Sequence, residues 1–212
     1  MGKPKILLAD DHVLIAEAFK KLLESDFEVV AIVSDGRKLL QSAPQLNPDV
    51  ILLDIGMPLL NGMDAGERIR LMLPKVKLIA LTMVEDYEIA SKALRTWANG
   101  YVLKSSGAPE LIQSIREVLR GNRYVSARIA KRQQQEFVRD PKCDRAKNLT
   151  ARQREVLQLL AEGCTMKEAA YMLDVATRTI AFHKYRIMEE FGIRSNSELV
   201  RFAIKEHVLT AA

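Results

Sequence analysis

Five polar residues in the first half of the chain stand directly after short apolar runs. Asp10 and Asp11 follow the first run, Asp54 follows the third, Thr82 the fourth and Lys104 the fifth. Three carboxylates brought together repel one another, and a hard divalent cation with oxygen ligands relieves that repulsion. A carboxylate can then act as a nucleophile towards phosphorus, while the cation, a hydroxyl and an ammonium group hold the phosphoryl oxygens. The residue types therefore indicate transfer of a phosphoryl group to an aspartate.

The apolar runs have the length and aliphatic composition of buried parallel strands. The predicted strands are Lys5–Ala9, Glu28–Val33, Asp49–Leu53, Lys77–Leu81 and Gly100–Leu103. The predicted helices between or after them are His12–Glu24, Gly36 to Gln41 and beyond, Gly62–Leu73, Asp86–Ala98 and Pro109–Arg120. This alternation predicts an α/β domain over residues 1–121, built on a five-stranded, doubly wound parallel sheet of the flavodoxin-like type.

In such a sheet, ligands gather at the carboxyl ends of the strands, beside the point where the strand order reverses. The first and third strands are expected to be neighbours there, so that Asp10, Asp11 and Asp54 converge. Taken singly, an aspartate after a strand is more often a helix N-cap than a catalytic group. The coincidence of five suitable residues at strand ends favours a functional site.

The motifs that contain these residues resemble the receiver domain of two-component response regulators. The resemblance covers the first 120 residues and rests on Asp10-Asp11, Asp54-Ile-Gly-Met57-Pro58 with Gly62, Leu81-Thr82 and Gly100-Tyr101-Val-Leu-Lys104. It implies that Asp54 accepts a phosphoryl group from a sensor histidine kinase, and that Mg²⁺ is bound by Asp10, Asp11, Asp54 and the backbone carbonyl of Gly56. It also implies that Lys104 and Thr82 hold the phosphoryl group, and that Tyr101 is an aromatic switch residue that turns inward when Thr82 moves.

Two residues depart from the usual receiver pattern. Ser105 follows Lys104, where many receivers have proline, so the sequence leaves open whether the peptide bond between them is cis. Trp97 stands where relatives usually carry a small residue. Two interpretations of Trp97 remain open, a packed aromatic at the edge of the fourth helix or a contact with a partner.

The chain changes character after Gly121. We interpret residues 122–147, which are basic and glutamine-rich around 128–135, as a linker, and their pattern also permits a helix over Ser126–Val138. Residues 148–212 have no strand pattern but match the capping box three times, at Thr150–Gln153, Thr165–Glu168 and Ser195–Glu198. With a further helix over about Thr177–Glu190, they predict a small all-α domain with helix-turn-helix geometry.

The helix at Thr177–Glu190 has two different faces. Ile180, Ile187 and Phe191 share one face and suit a domain core. The opposite face carries Arg178, Ala181, Phe182, Tyr185 and Arg186. A face with two arginines and two aromatic residues suits a helix that reads the major groove of DNA. Alternatively, Phe182 and Tyr185 pack on the linker or on the first domain in a resting state.

Residues 148–209 resemble the LuxR-type helix-turn-helix domain, and with the first domain they point to the NarL/FixJ class of response regulators. The motifs are Leu149–Gly163, Lys167–Ala170, Thr179–His183, Ile187 and Gly192-Ile193. The resemblance implies DNA contacts from Arg178, Thr179, Ala181, Phe182, His183, Lys184 and Tyr185, with His183 in a backbone-phosphate or packing role. The family usually has basic residues at the positions of Ala181 and Tyr185, lysine at Glu190 and a serine cap at Ala176, so the DNA sequence preference stays open.

The resulting hypothesis is a transcription regulator whose DNA binding is controlled by phosphorylation, and which does not turn over an external substrate. Its expected partners are the histidine kinase, double-stranded DNA, RNA polymerase and, on activation, a second copy of the chain. Two alternatives remain. One is a phosphohydrolase with an aspartyl nucleophile, which would need a D-x-D pair in place of Asp10-Asp11-His12. The other is a receiver-like scaffold that binds DNA without phosphorylation.

Composition narrows the class only slightly. The 212 residues are 48% hydrophobic and 28% charged, with a net charge of +5, which is compatible with nucleic acid binding but does not establish it. Neither a signal peptide nor a membrane span is evident, and Cys143 and Cys164 form no metal or redox motif, so a cytoplasmic protein is expected. His12 and His207 have no evident metal partners in the sequence, and we expect no role for them.

Overall fold

The computed structural model describes residues 2–83, 85–136 and 149–209. The chain divides into two compact units, residues 1–142 and residues 143–212. The second part of the predicted linker, residues 137–147, lies outside the described residues. The same is true of the end of the helix that was predicted to reach Val138. Among the described residues, no helix is both long enough and apolar enough to cross a lipid bilayer.

The first unit is built on a parallel sheet. Its strands are β1 (Lys5–Ala9), β2 (Glu28–Val33), β3 (Val50–Leu53), β4 (Lys77–Thr82), β5 (Gly100–Leu103) and β6 (Tyr124–Val125), in the order β2-β1-β3-β4-β5-β6. This is the predicted doubly wound topology, with the reversal of strand order between β1 and β3. The prediction of five strands was wrong, because Gly100 and Tyr101 of β5 pair with Tyr124 and Val125. A strand of two residues is too short to give a periodic signal in the sequence.

Helices cover both faces of the sheet. They are α1 (Val13–Leu23), α2 (Gly36–Leu46), α3 (Gly62–Met72), α4 (Tyr87–Thr96), α5 (Ala108–Leu119) and α6 (Ala127–Glu136), with a short 3-10 turn at Lys104–Ser106. Successive side chains of β1 point into two different cores, because side chains alternate between the two faces of a strand. Ile6 and Leu8 lie in one core, and Leu7 and Ala9 lie in the other. Helices α1 and α5 contribute to the first core, and α2, α3 and α4 to the second.

Trp97 is a core residue. Only 2% of it is exposed, and a Cβ atom on Gly66 of α3 would stand 2.5 Å from an indole carbon. Arg70 fixes the same region by donating hydrogen bonds to the carbonyl of Trp97 and to Asn99 Oδ1. The structure therefore favours the packed aromatic over the partner contact. No cis peptide occurs in the described parts of the chain, which settles the geometry after Lys104.

All regular secondary structure in the described part of the second unit is helical. It contains α7 (Ala151–Ala161), α8 (Met166–Met172), α9 (Thr177–Phe191) and α10 (Asn196–Lys205) around an aliphatic core that includes Leu157, Ile187 and Leu199. Two predicted capping boxes are complete, at Thr150 with Gln153 and at Thr165 with Glu168. The third is not, because Glu198 accepts the N–H of Arg194 instead of that of Ser195.

Candidate functional site

A buried cluster of charges lies where the strand order reverses. Asp10 follows β1 and Asp54 follows β3, and only 3% and 5% of these residues are exposed. Lys104, at the end of β5, places its Nζ atom 2.7 Å from Oδ2 of each of these aspartates. One ammonium group therefore bridges two buried carboxylates, while Asp11 lies at the same edge of the sheet and is half-buried. The structure brings together these four residues as the sequence predicts.

Backbone groups hold the two buried carboxylates in place. The N–H of Gly56 donates to Asp54 Oδ1 at 3.2 Å, and the N–H of His12 donates to Asp10 Oδ1 at 2.9 Å. A Cβ atom on Gly62 would stand 2.1 Å from the carbonyl oxygen of Asp54. Since any larger residue would collide with the backbone there, glycine lets α3 begin directly beside the loop that carries Asp54.

Thr82 and Tyr101 lie on the neighbouring strands. Thr82 ends β4 and only 1% of it is exposed, and Tyr101 in β5 is completely buried. Burial raises the pKa of the Tyr101 hydroxyl far above its usual range, and the carboxylates of Asp86 and Asp54 raise it further. The tyrosine is therefore neutral, and in this structure its side chain has the inward orientation.

His12 lies in the carboxylate cluster, where it has neighbouring potential metal ligands that were not evident from the sequence. Its Nδ1 atom is 3.0 Å from Asp11 Oδ1, 3.4 Å from Asp10 Oδ1 and 4.0 Å from Asp54 Oδ2. Sequence spacing gave no signal for this, because His12 immediately precedes α1 and the local backbone turn decides where its side chain points.

The start of α6 is tied to the loops that follow β4 and β5. Buried Ser126 accepts a hydrogen bond from the N–H of Leu103, donates one to Glu110, and lies 3.3 Å from the hydroxyl of Ser106. Arg128 Nη1 is 2.9 Å from Glu85 Oε1 and 3.3 Å from Ser105 Oγ. Ser105, the departure from proline noted in the sequence, is therefore a contact point for α6.

Helix α9 exposes a basic and aromatic face. Ile180 and Ile187 are completely buried, whereas Phe182 and Tyr185 are 55% and 59% exposed. Of the other residues predicted to contact DNA, Arg178 is exposed. The remaining four are partly buried: Thr179, Ala181, His183 and Lys184. The Arg186 guanidinium lies 5.6 Å from the centre of the Phe182 ring, and Lys184 Nζ lies 5.9 Å from that of Tyr185.

Two features of this unit were not evident from the sequence. Arg152 pairs with buried Glu155 at 2.7 Å and donates to the carbonyl of Leu173, so it joins α7 to the turn between α8 and α9. Burial lowers the pKa of His183, and the guanidinium groups of Arg152 and Arg186 lower it further. His183 is consequently neutral at neutral pH.

Both units match known protein families. Residues 6–116 match the response regulator receiver domain, and residues 147–203 match the bacterial regulatory proteins of the luxR family. The chain is 36% identical over 214 residues to the oxygen regulatory protein NreC of Staphylococcus aureus, and the match covers 97% of this chain and 99% of NreC. The chain belongs to the response regulator family.

Solved response regulators have the same architecture. A LuxR-family response regulator from Aurantimonas sp. SI85-9A1 is 32% identical with a TM-score of 0.62, over 65% of this chain and 99% of that one. The response regulator RcsB of Salmonella typhimurium matches with a TM-score of 0.66 at 24% identity, over 97% of this chain and 99% of that one. The protein is thus a response regulator with a receiver domain and a LuxR-type DNA-binding domain. Proteins of this family regulate transcription under the control of phosphorylation.

The acidic cluster of the receiver domain fits Mg²⁺. One ligand atom from each of Asp10, Asp11, His12 and Asp54 lies within 4.8 Å of the others. Asp10 Oδ2 and Asp11 Oδ1 are buried oxygen atoms that accept no hydrogen bond from the described residues, although each has a cationic or imidazole nitrogen within 3.0 Å. A set of carboxylate oxygens with unused lone pairs is the donor set that Mg²⁺ prefers.

The bridge made by Lys104 predicts a strong dependence of receiver stability on this one side chain. In EDTA, Lys104→Met should lower the free energy of unfolding by about 3 kcal/mol, since it leaves two buried carboxylates without their counter-charge. Lys38→Met is the matched control, because Lys38 is exposed and its pair with Asp35 should contribute less than about 1 kcal/mol. Urea unfolding followed by the fluorescence of Trp97, the single tryptophan, measures both. Equal losses in the two variants would contradict the prediction.

Proposed function

We propose that this response regulator is switched by transfer of a phosphoryl group from a sensor histidine kinase to Asp54. The observation that carries the proposal is the environment of that carboxylate, with Lys104 on Oδ2, the N–H of Gly56 on Oδ1 and Asp10 alongside. An Asp54 oxygen would attack phosphorus, the bond from phosphorus to the kinase imidazole would break, and the imidazole would leave. Lys104 would then hold a phosphoryl oxygen, and the Thr82 hydroxyl at the next strand end would hold another.

Mg²⁺ is the cofactor that this step requires. Asp10, Asp11, Asp54 and the backbone carbonyl of Gly56 would hold it. When bound, the cation neutralises negative charge on the phosphoryl oxygens during transfer. No turnover of an external substrate is proposed, since the acyl phosphate formed on Asp54 is itself the signal.

Phosphorylation of Asp54 is testable by mass. Incubation of the full-length protein with acetyl phosphate and Mg²⁺ should add one phosphoryl group, seen by intact mass spectrometry. Asp54→Asn should remain unmodified, and so should the wild-type protein in EDTA. Asp49→Asn, at an exposed aspartate before β3, is the matched control and should still be modified. An adduct on Asp54→Asn would refute the assignment, and no adduct on any protein would favour the scaffold that binds DNA without phosphorylation.

The output of the switch is DNA binding through α9. Its exposed face combines Arg178 and Arg186 with Phe182 and Tyr185, and apolar side chains there can contact thymine methyl groups while cations contact phosphates. The solved relatives include RcsB structures described in terms of DNA interaction. Because half-sites of such regulators are paired, we extend the proposal to a homodimer on DNA that acts on RNA polymerase.

Substitutions on α9 should separate phosphate contacts from base contacts. With a duplex selected from a random pool, Arg178→Ala should weaken binding to all sequences alike and reduce the salt dependence by about one counterion. Phe182→Ala should instead weaken binding to the selected site by about 1–3 kcal/mol and spare non-specific DNA. Fluorescence anisotropy at several salt concentrations measures both effects. Arg201→Ala, an exposed arginine on α10, is the control, and an equal effect from it would argue against α9 as the reading helix.

Communication between the two units is proposed to pass through the start of α6. The loops that follow Thr82 and Lys104 contact the start of α6. Glu85 and Ser105 contact Arg128, and Ser106 contacts Ser126. A phosphoryl group that draws Thr82 and Lys104 towards Asp54 would shift both loops and therefore the helix that leads to the DNA-binding domain. A two-state element of this kind needs different contacts in its two states.

Removal of one tether tests this path. Arg128→Ala should leave phosphoryl uptake unchanged but reduce the ratio of DNA affinities with and without phosphorylation, by at most about fivefold because the ion pair is exposed. Arg120→Ala removes a comparable exposed pair with Glu117 that touches neither loop, and it should leave the ratio unchanged. The two ratios are measured by anisotropy after modification with acetyl phosphate. If Arg128→Ala and Arg120→Ala behave alike, α6 is not tethered to the switch in this way.

A further inference from the structure

Within the described parts of the chain, the His12 imidazole makes its polar contacts with the acidic cluster alone. His12 is the N-cap residue of α1, yet its side chain makes no capping hydrogen bond. Its backbone N–H is held by Asp10 Oδ1 at 2.9 Å, which fixes the turn. The Nδ1 atom then lies within 4.0 Å of an oxygen of each of the three carboxylates.

We propose that His12 is a fifth protein ligand of the divalent cation in the receiver domain. The inference rests on the proposed function, which supplies the metal site formed by Asp10, Asp11, Asp54 and the backbone carbonyl of Gly56. Its consequence is chemical: one ligand is a nitrogen atom, so the site binds first-row transition metals more tightly, relative to Mg²⁺, than carboxylates alone would.

The distances around Nδ1 suit a common octahedral ion. With metal–ligand bonds of about 2.1 Å, adjacent ligands are separated by about 3 Å and opposite ligands by about 4.2 Å. Nδ1 is 3.0 Å from Asp11 Oδ1 and 3.4 Å from Asp10 Oδ1, and 4.0 Å from Asp54 Oδ2. All three separations lie within the span of two ligands on one such ion, so His12 and these carboxylates would be able to hold the same cation.

Lys104 and His12 approach Asp10 through different oxygen atoms. Lys104 Nζ contacts Oδ2 of Asp10 and Oδ2 of Asp54, whereas the nearest Asp10 oxygen to His12 is Oδ1. The imidazole is 60% exposed, so water molecules can complete the coordination shell beside it. A simple exposed contact between imidazole and carboxylate contributes little to stability, and gives no reason for the convergence of three oxygens on one nitrogen.

Mn²⁺ provides a direct test, because its electron spin reports nitrogen nuclei bonded to the ion. Electron spin echo envelope modulation of full-length protein with Mn²⁺ should show coupling to an imidazole ¹⁴N nucleus, and His12→Ala should abolish it. His207→Asn is the matched control, an exposed histidine replaced by a residue that tolerates its φ of +54°. It should retain the coupling.

Calorimetric titration gives a second readout that needs no spectroscopy. His12→Ala should weaken Mn²⁺ binding at least about tenfold, as loss of a ligating group does, and weaken Mg²⁺ binding less. Mn²⁺ binding without ¹⁴N coupling, or an unchanged ratio of the Mn²⁺ and Mg²⁺ Kd values in His12→Ala, would overturn the role of His12 and leave the carboxylate site intact. If neither ion binds the wild-type protein, the proposed metal site and the role of His12 both fail.

Discussion

Electrostatic repulsion at the carboxyl end of the sheet is the constraint on which the receiver domain depends. Asp10, Asp11 and Asp54 bring three carboxylates to one edge, and Lys104 supplies one buried ammonium group. The remaining excess of negative charge favours a bound cation at the same edge of the sheet. Under the proposed function, a phosphoryl group would add further negative charge at the same point. The excess of negative charge that would bind the cation would then also make the neighbouring loops respond to phosphorylation.

Under the proposed function, this charge cluster would act at a distance because its members lie on different loops. Lys104 is followed by Ser105 and Ser106, and Thr82 by the loop that contains Glu85. Each of these loops contacts the start of α6 through Ser126 or Arg128. The replacement of proline by Ser105 has a physical reason in this chain, since proline could not accept the hydrogen bond from Arg128. Under the proposed function, these contacts would connect a local change of charge at Asp54 to α6.

The sequence predicted the elements and residues whose signals are periodic or chemically distinctive. The strands β1, β2 and β5 agree to the residue because buried parallel strands are continuous aliphatic runs. Asp10, Asp54 and Lys104 follow the ends of β1, β3 and β5, as predicted. Strand β6 escaped prediction because two residues carry no period. His12 and the pair of Arg152 with Glu155 escaped because side-chain direction at a helix end, and contacts between helices, depend on tertiary structure. The burial of Trp97 was not predictable from its own position, because it depends on Gly66, which lies on another helix.

The low net charge of α9 bears on how large a change in free energy phosphorylation must produce to control DNA binding. The helix carries three cations, Arg178, Lys184 and Arg186, against the carboxylates of Glu189 and Glu190, and it lacks basic residues at Ala181 and Tyr185. Under the proposed function, one such helix would bind DNA weakly, because phosphate contacts supply most non-specific affinity. Two linked copies convert the second binding event into an intramolecular one and raise affinity by orders of magnitude without new contacts. Under the proposed function, phosphorylation would need to favour dimer formation by only a few kcal/mol to shift the regulator from mostly free to mostly bound to DNA.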